Sequence, residues 1–253
     1  RLAAEQPGQR IQTSVRQALQ RQTQALVNRY AREYSSNHIY NLAAIVADVE
    51  TGEVLAYAGN ATYPADERRG NQVDIITSPR STGSILKPFL YAGMLHDGLL
   101  LPSMLVSDVP LNINGFSPHN YNKTFYGAVP AHVAIERSLN VPLVRMLSQY
   151  NTGRFMSLLK SWGMTTLRFS EEHYGASLIL GGAEGTLWDL SGMYASMSRV
   201  LKHYRTYNGR YHPADIHPLT PFPAERKEPI RSLTDSRLTD KPLLSSAALW
   251  YTF

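Results

Sequence analysis

A serine and a lysine three residues apart carry the first chemical signal in this chain: Ser84-Ile85-Leu86-Lys87, directly after Gly83. On a helix, positions i and i+3 lie about 60° apart around the axis and about 4.5 Å along it, so a hydroxyl and an ammonium at this spacing can hydrogen-bond. A serine alone is a weak nucleophile and needs an adjacent base. Neutral Lys87 can be that base if its pKa falls roughly three units from about 10.4. Burial and a neighbouring cation are the influences that lower it. Pro88 follows at once, and proline is tolerated only near the start of a helix. Ser84 is therefore expected at a helix N-terminus after a glycine turn, where free backbone N–H groups favour a developing oxyanion. The plain alternative is a serine that only caps the helix.

The S-x-x-K pattern is short and recurs at Ser157-Leu158-Leu159-Lys160. There it lies within an amphipathic stretch that includes Phe155 and Trp162, and Ser157 reads as a solvated or capping residue. A second cluster is Ser138-Leu139-Asn140, between two helical stretches, with Pro142 starting the second. A hydroxyl and a carboxamide in a short interhelical turn can point into one cleft. Ser138 can relay a proton, and Asn140 can bond Lys87 and a substrate amide. The alternative is a helix cap with an asparagine turn. Ser35-Ser36-Asn37 repeats the pattern without a partner motif.

Elements must position these groups. Residues 13–34 read as an amphipathic helix with Val15, Leu19, Leu26 and Tyr30 on its apolar side and Thr13 or Ser14 as cap. Leu42–Val49 and Glu53–Gly59 flank Glu50-Thr51-Gly52 and predict a hairpin at 42–59. The first run is almost continuously apolar, which predicts cover on both faces. Residues 60–82 read as a polar loop. A helical region spans 84–201, with helices at 84–97, 130–139, 141–149, 153–162 and 186–201. Residues 102–129 show no clear element. Residues 202–243 read as a long Pro-rich arm, and a last helix, at 245–253, runs to the end of the chain.

Composition excludes several classes. Of 253 residues, 43% are hydrophobic, enough for a substantial core. There is no cysteine, so disulfides and thiolate metal sites are excluded. Eight histidines are dispersed without an H-E-x-x-H, and no metal or other cofactor is expected. The net charge of +5 is scattered; it permits an anionic partner but demands none. The Tyr and Arg of 202–232 read as a solvated loop, so no nucleic-acid partner is expected. Gly181-Gly182-Ala183-Glu184-Gly185 lacks the G-K-[ST] of a phosphate loop and reads as helix entry and packing. No apolar run is long enough to span a membrane. The chain opens on Arg1, not Met, which suggests a piece of something longer.

Taken together, these stretches carry a resemblance. Thr51-Gly52-Glu53-Val54-Leu55-Ala56-Tyr57 is followed by Gly83-Ser84-Ile85-Leu86-Lys87-Pro88-Phe89, then Asn120-Tyr121 with Tyr126-Gly127. Ser138-Leu139-Asn140-Val141-Pro142 comes next, and LILGGAEGTLWDLSGMYA at Leu178–Ala195 is last. In order and spacing, from about 42 to 200, the set resembles the transpeptidase domain of bifunctional (class A) penicillin-binding proteins, most closely the penicillin-binding protein 1C type. The resemblance implies an α/β (α+β) penicillin-binding, serine β-lactamase-like fold, with a helical subdomain and an incomplete antiparallel sheet. It implies Ser84 as acylated nucleophile, Lys87 as proton acceptor, and Ser138 and Asn140 beside them. Gly83, Asn120, Tyr121 and Tyr126 would line the substrate cleft. The substrates would be D-Ala-D-Ala stem peptides of peptidoglycan, and β-lactams such as penicillin would inhibit. The parent would act at the periplasmic face of the bacterial inner membrane, held by an anchor that is absent here, and downstream of an absent glycosyltransferase domain. Oligomeric state is not implied.

The departure is the third motif. No Lys-Thr-Gly or Lys-Ser-Gly occurs; Lys123-Thr124-Phe125 lacks the glycine and Asn151-Thr152-Gly153 lacks the lysine. The expectation is therefore a partial transpeptidase domain whose own acylation is impaired. There are two rival readings, the first sharing the first two motifs and the second supported by the missing third. One is a serine β-lactamase or β-lactam sensor, with Glu136 and Glu184 the nearest formal candidates for its second base. The other is a non-catalytic module that binds peptidoglycan or a partner.

Overall fold

The hairpin forms where the sequence places it. In this computed structural model, which describes residue 8 and residues 10–62, 67–113, 115–224 and 235–253, β1 (Ala44–Ala47) pairs antiparallel with β2 (Val54–Ala58), Ala44 opposite Ala58. Asp48 builds the turn: its carboxylate accepts from the Thr51 N–H at 2.8 Å. Gly52 follows at φ +73°, and a Cβ there would meet His217 at 2.7 Å, so the turn needs glycine. The expected cover on both faces of β1 is not found: all four residues are only half-buried. β2, its one strand neighbour among the described residues, pairs with an edge of β1, and apolar content alone does not bring an element onto a face. Parts of the expected loop (63–66) and of the Pro-rich arm (225–234) lie outside the described residues.

The described residues group into two compact units. The first draws on Arg1–Pro79, Thr186–Arg199 and Ala214–Asp235. Its helix α1 (Gln17–Tyr34) starts four residues later than expected, behind an Arg16 that offers no side-chain cap. Ser14 is not the cap; its hydroxyl donates to the Val54 carbonyl. The buried face is Thr23, Val27 and Ala31, while Leu26 and Tyr30 are exposed. The reason is polar: the Gln20 amide donates to the Tyr57 carbonyl (2.9 Å) and accepts from its N–H (2.7 Å), occupying the edge of β2 as a strand would. Gln24 bonds the Asn60 carbonyl likewise. That docking turns the face containing Val27 and Ala31 onto Ala58 and Ala61. In the same unit the buried Arg199 donates to the carbonyls of Val49, Asp215 and His217, joining the hairpin turn to the described part of the arm.

The second unit draws on Arg80–Gly185, Val200–Pro213 and Ser236–Phe253. At its centre lies α2 (Lys87–His96), with seven of ten residues buried: Lys87, Phe89, Leu90, Tyr91, Ala92, Gly93 and Met94. A helix apolar on all sides belongs in a core, not at a surface. Around it lie α3 (Ala131–Glu136), α4 (Asn140–Tyr150) and α5 (Thr152–Ser161), and a short α6 (Glu171–Tyr174) packs on α5. Phe89 meets Trp162 edge to face. Gly93 allows close approach, since a Cβ there would lie 2.9 Å from Leu158 and Tyr150.

Residues 102–129 correct the expectation of no element. β4 (Leu105–Asp108) pairs antiparallel with β5 (Gly127–Pro130). Neither strand shows apolar–polar alternation in its sequence, because each is four residues long and in β4 the polar Asp108 is buried while Leu105 is exposed. β3 (Arg80–Ser81) pairs with β6 (Glu184–Gly185). Helix α7 (Leu187–Thr206) runs further than expected into the arm, and the arm itself folds back, with Tyr211 bridged to Thr239. The last helix, α8 (Ser246–Trp250), is capped by the Ser245 hydroxyl and closes at Trp250, short of the expected run to Phe253.

Candidate active site

The loop carrying Ser84 is held from one side. β3 pairs with β6, the Thr82 N–H donates to the Ala183 carbonyl at 3.0 Å, and the Ser81 hydroxyl donates to the Gly181 carbonyl at 2.8 Å. This is the role of the glycine-rich stretch 181–185: a Cβ on Gly181 would lie 2.8 Å from the Gly83 backbone. Gly83 itself has φ +53° and turns the chain into Ser84.

Ser84 does not open the helix, which corrects the expectation. It lies in a turn, three residues before α2 begins, and its carbonyl accepts from the Lys87 N–H at 3.1 Å. Its side chain is exposed. No hydrogen bond links its hydroxyl to Lys87; the ammonium is engaged elsewhere. Lys87 is the first residue of α2, with Pro88 second, as the position of a proline in a first turn allows.

The Lys87 ammonium, on a residue 1% exposed, reaches the α3–α4 junction. Its Nζ lies 2.8 Å from the Ser138 carbonyl, 3.1 Å from Ser138 Oγ, 2.8 Å from Asn140 Oδ1 and 3.5 Å from the Leu139 carbonyl. All four partners are neutral. Burial therefore acts unopposed and lowers the lysine pKa from 10.5 to about 8. The second influence expected from the sequence, a neighbouring cation, plays no part.

The junction has unusual backbone. Ser138 sits at φ +50°, a conformation that costs energy for a residue with a Cβ. Leu139 takes the N-cap position of α4 and cannot cap it. The cap comes from Asn120 instead: its Oδ1 accepts from the N–H groups of Asn140 (2.9 Å) and Val141 (3.2 Å). Asn140 is thus free to turn its own carboxamide to Lys87 and, through Nδ2, to the His119 carbonyl at 2.9 Å.

Asn120 corrects the sequence reading, which put it at the cleft's rim. It is 2% exposed, with no surface to offer a substrate. Tyr121 is fully exposed. Tyr126 is exposed as well; its hydroxyl accepts from Asn122, and the Arg137 guanidinium lies over its ring at 5.6 Å. The structure thus brings Lys87, Ser138, Asn140 and Asn120 into one network, with Ser84 at the near end of the Lys87 turn. The side chains of Tyr121 and Tyr126 stand outside it. The sequence reading missed Asp108 and His119. No pattern joins Asp108 to Asn120; they meet because the chain folds back between β4 and β5.

The second S-x-x-K has a different setting. Ser157 lies within α5, is exposed, and donates to the Gly153 carbonyl. Of the two glutamates considered, Glu136 ends α3 and Glu184 sits on β6; both are exposed, and neither side chain bonds Ser84, Lys87, Ser138 or Asn140. Among the described residues no group of His, Asp and Glu could hold a metal ion.

Comparison with known proteins matches this geometry to a class. Residues 42–186 match the family model "Penicillin binding protein transpeptidase domain". That match covers more than half of the chain, and the chain belongs to this family. The chain is 31% identical over 241 residues to penicillin-binding protein 1C of Escherichia coli strain K12, covering 95% of this chain and 28% of that protein. The chain thus spans only about a quarter of that relative's length. Among solved structures, the transpeptidase domain of penicillin-binding protein 3 from Burkholderia pseudomallei aligns with a TM-score of 0.68 at 18% identity, covering 97% of this chain and 69% of that one. The PonA1 protein of Mycobacterium tuberculosis in complex with penicillin V aligns with a TM-score of 0.61 at 17% identity, covering 98% of this chain and 63% of that one. These likenesses establish the α+β transpeptidase fold.

Proposed function

We propose that this chain is the part of a peptidoglycan D,D-transpeptidase that forms the acyl-enzyme. Ser84 Oγ attacks the carbonyl carbon of the D-Ala-D-Ala bond in a stem peptide and gives its proton to neutral Lys87. The C–N bond breaks, and the terminal D-alanine leaves after taking a proton on its nitrogen. An amine from a neighbouring stem then attacks the Ser84 ester, and the serine regains its proton. Ser138, bonded to Lys87, relays the proton; Asn140 orients the lysine and a substrate amide. Penicillin acylates the same serine. Gly83 allows the turn that exposes Ser84, and Tyr121 and Tyr126 supply the rim. The parent works at the periplasmic face of a bacterial inner membrane. The bacterial relatives support that location, although no helix among the described residues is long and apolar enough to cross a membrane.

One observation carries the reading: a buried lysine whose ammonium meets only neutral partners among the described residues, its pKa lowered to about 8, one turn after an exposed serine. Such a lysine suits proton transfer better than structural pairing. The test is covalent labelling of the full-length parent with tagged penicillin, followed by proteolysis and mass spectrometry. The adduct is expected on the peptide containing Gly83–Lys87 and is lost in Ser84→Ala. An adduct that survives in Ser84→Ala overturns the assignment. Rapid turnover of a chromogenic cephalosporin would favour the β-lactamase reading instead.

A further inference from the structure

Asp108 ends β4 with its side chain wholly buried, 0% exposed, and nothing in the reaction above uses it. Its carboxylate oxygens lie 2.9 and 3.0 Å from Asn120 Nδ2, and Oδ2 also accepts from the Tyr126 N–H at 2.9 Å. The second hydrogen of Asn120 Nδ2 goes to the Thr124 carbonyl at 2.9 Å. On its other end, Asn120 Oδ1 takes the N–H groups of Asn140 and Val141. The Asn120 amide therefore spends both hydrogens and both lone pairs, and only one orientation satisfies them. Turned over, its carbonyl would face a carboxylate and its NH2 would face two N–H groups. Asp108, an acceptor at both oxygens when ionised, forbids that turn.

We propose that Asp108 and Asn120 are positioning residues of the acylation site. Asp108 fixes the Asn120 amide, Asn120 fixes the first turn of α4, and that turn fixes the Ser138 and Asn140 groups that grip Lys87. The proposal rests on the reading of Lys87 as the base. The chain of contacts is continuous: carboxylate to amide, amide to the Asn140 N–H, Asn140 Oδ1 to Lys87 Nζ. Without Asn120 the helix start has no side-chain cap, because Leu139 can supply none, and the strained Ser138 has one constraint fewer. The local groups that face Lys87 Nζ are two backbone carbonyls, a hydroxyl and a carboxamide, so loosening them admits water without changing the charges.

Asp108→Asn keeps the shape but sets a donor against Asn120 Nδ2 or the Tyr126 N–H. Two measurements on the full-length protein decide the matter. The first is the NMR titration of Lys87, which needs no substrate; water entry is expected to move its midpoint up from about 8 by about one unit toward the ordinary lysine value. The second separates the acylation rate constant for tagged penicillin from its pre-covalent binding constant. The rate constant is expected to fall about tenfold to a hundredfold, on the scale of lost outer-shell partners, with binding unchanged. If Asp108→Asn does not fold, Asp108→Ser leaves room for a water and carries the same expectation. A Lys87 midpoint and a rate constant both equal to wild type overturn the proposal, as does a loss confined to binding. If the wild-type protein takes no label at Ser84 while the Lys87 midpoint still moves in the variant, the catalytic reading falls and the positioning of Lys87 by Asp108 stands.

Discussion

The chain contains the pattern S-x-x-K twice, and the two regions share little else. At Ser157–Lys160 the pattern lies inside a regular helix. The serine back-bonds to the Gly153 carbonyl, both residues are exposed, and the lysine keeps its hydration. At Ser84–Lys87 the serine lies in the turn ahead of a helix whose faces are nearly all buried. Because α2 occupies the middle of its unit, its first residue is drawn in with it. Lys87 loses water, gains four neutral partners, and its pKa falls to about 8. The difference teaches that the pattern supplies groups, while the burial of the following helix sets the lysine's pKa. A serine ahead of a core helix faces solvent with its lysine behind it in the dry interior.

The sharpest test replaces each lysine by arginine. Arginine keeps the charge but does not deprotonate in proteins. Lys87→Arg is expected to lower the rate of penicillin acylation by several powers of ten, the scale of losing the base of a nucleophile pair. Lys160→Arg is expected to leave it unchanged. Stopped-flow labelling of the two variants side by side reads the contrast, and equal rates would erase it. Next in size is Asn140→Ala, which removes one acceptor of Lys87 and the bond to the His119 carbonyl. Acylation is expected to slow about a hundredfold, comparable to removing one oriented polar group from a reaction site. A rate within twofold of wild type would mean that the Ser138 contacts suffice.

The pH profile sharpens the comparison further. Lys87 is a base whose pKa is lowered, so its neutral, proton-accepting form gains population as pH rises through about 8. The acylation rate should therefore climb about tenfold per unit at low pH, bend near pH 8, and level off above it. At pH 7 about a tenth of the lysine is neutral. A profile that is flat between pH 6 and 9, or that falls as pH rises, contradicts a Lys87 base. That window lies more than two units below the ordinary lysine value, so it reports the burial of Lys87.

Much of this was legible in the sequence, and the failures share a physical cause. The hairpin showed itself because Glu50-Thr51-Gly52 sits between two apolar runs, and the helices of the second unit because their apolar positions recur. Lys87 and Ser138-Leu139-Asn140 were visible as groups, and their meeting followed from helices packed around α2. The readings that failed turn on polar bonds between distant segments. Val15, Leu19, Leu26 and Tyr30 look like the inner face of α1, but Gln20 binds the backbone of β2 and rotates Val27 and Ala31 inward. Asn120 looks like a rim residue beside Tyr121, but Asp108 and the start of α4 bury it. Periodicity reports burial by apolar side chains, and it is silent where an amide is buried because all its hydrogen bonds are met. Ser84 was expected at a helix N-terminus because Pro88 fits a first turn; the helix starts instead at Lys87, which also leaves proline in its first turn.

The smallest effect is expected at the second serine, and it tests the comparison from the other side. Ser157 is mid-helix and exposed, and its hydroxyl donates to the carbonyl four residues back, an acceptor that the helix already uses. Removing the hydroxyl leaves no buried group unpaired. Alanine is the better helix former by a few tenths of a kcal/mol. Ser157→Ala should therefore change stability by less than about 0.5 kcal/mol, on the stabilising side, as read by thermal or denaturant unfolding. It should label with penicillin at the wild-type rate and on the same peptide. A measurable loss of labelling would tie α5 to the reaction, and the burial of the helix after Ser84 would then no longer distinguish the two sites.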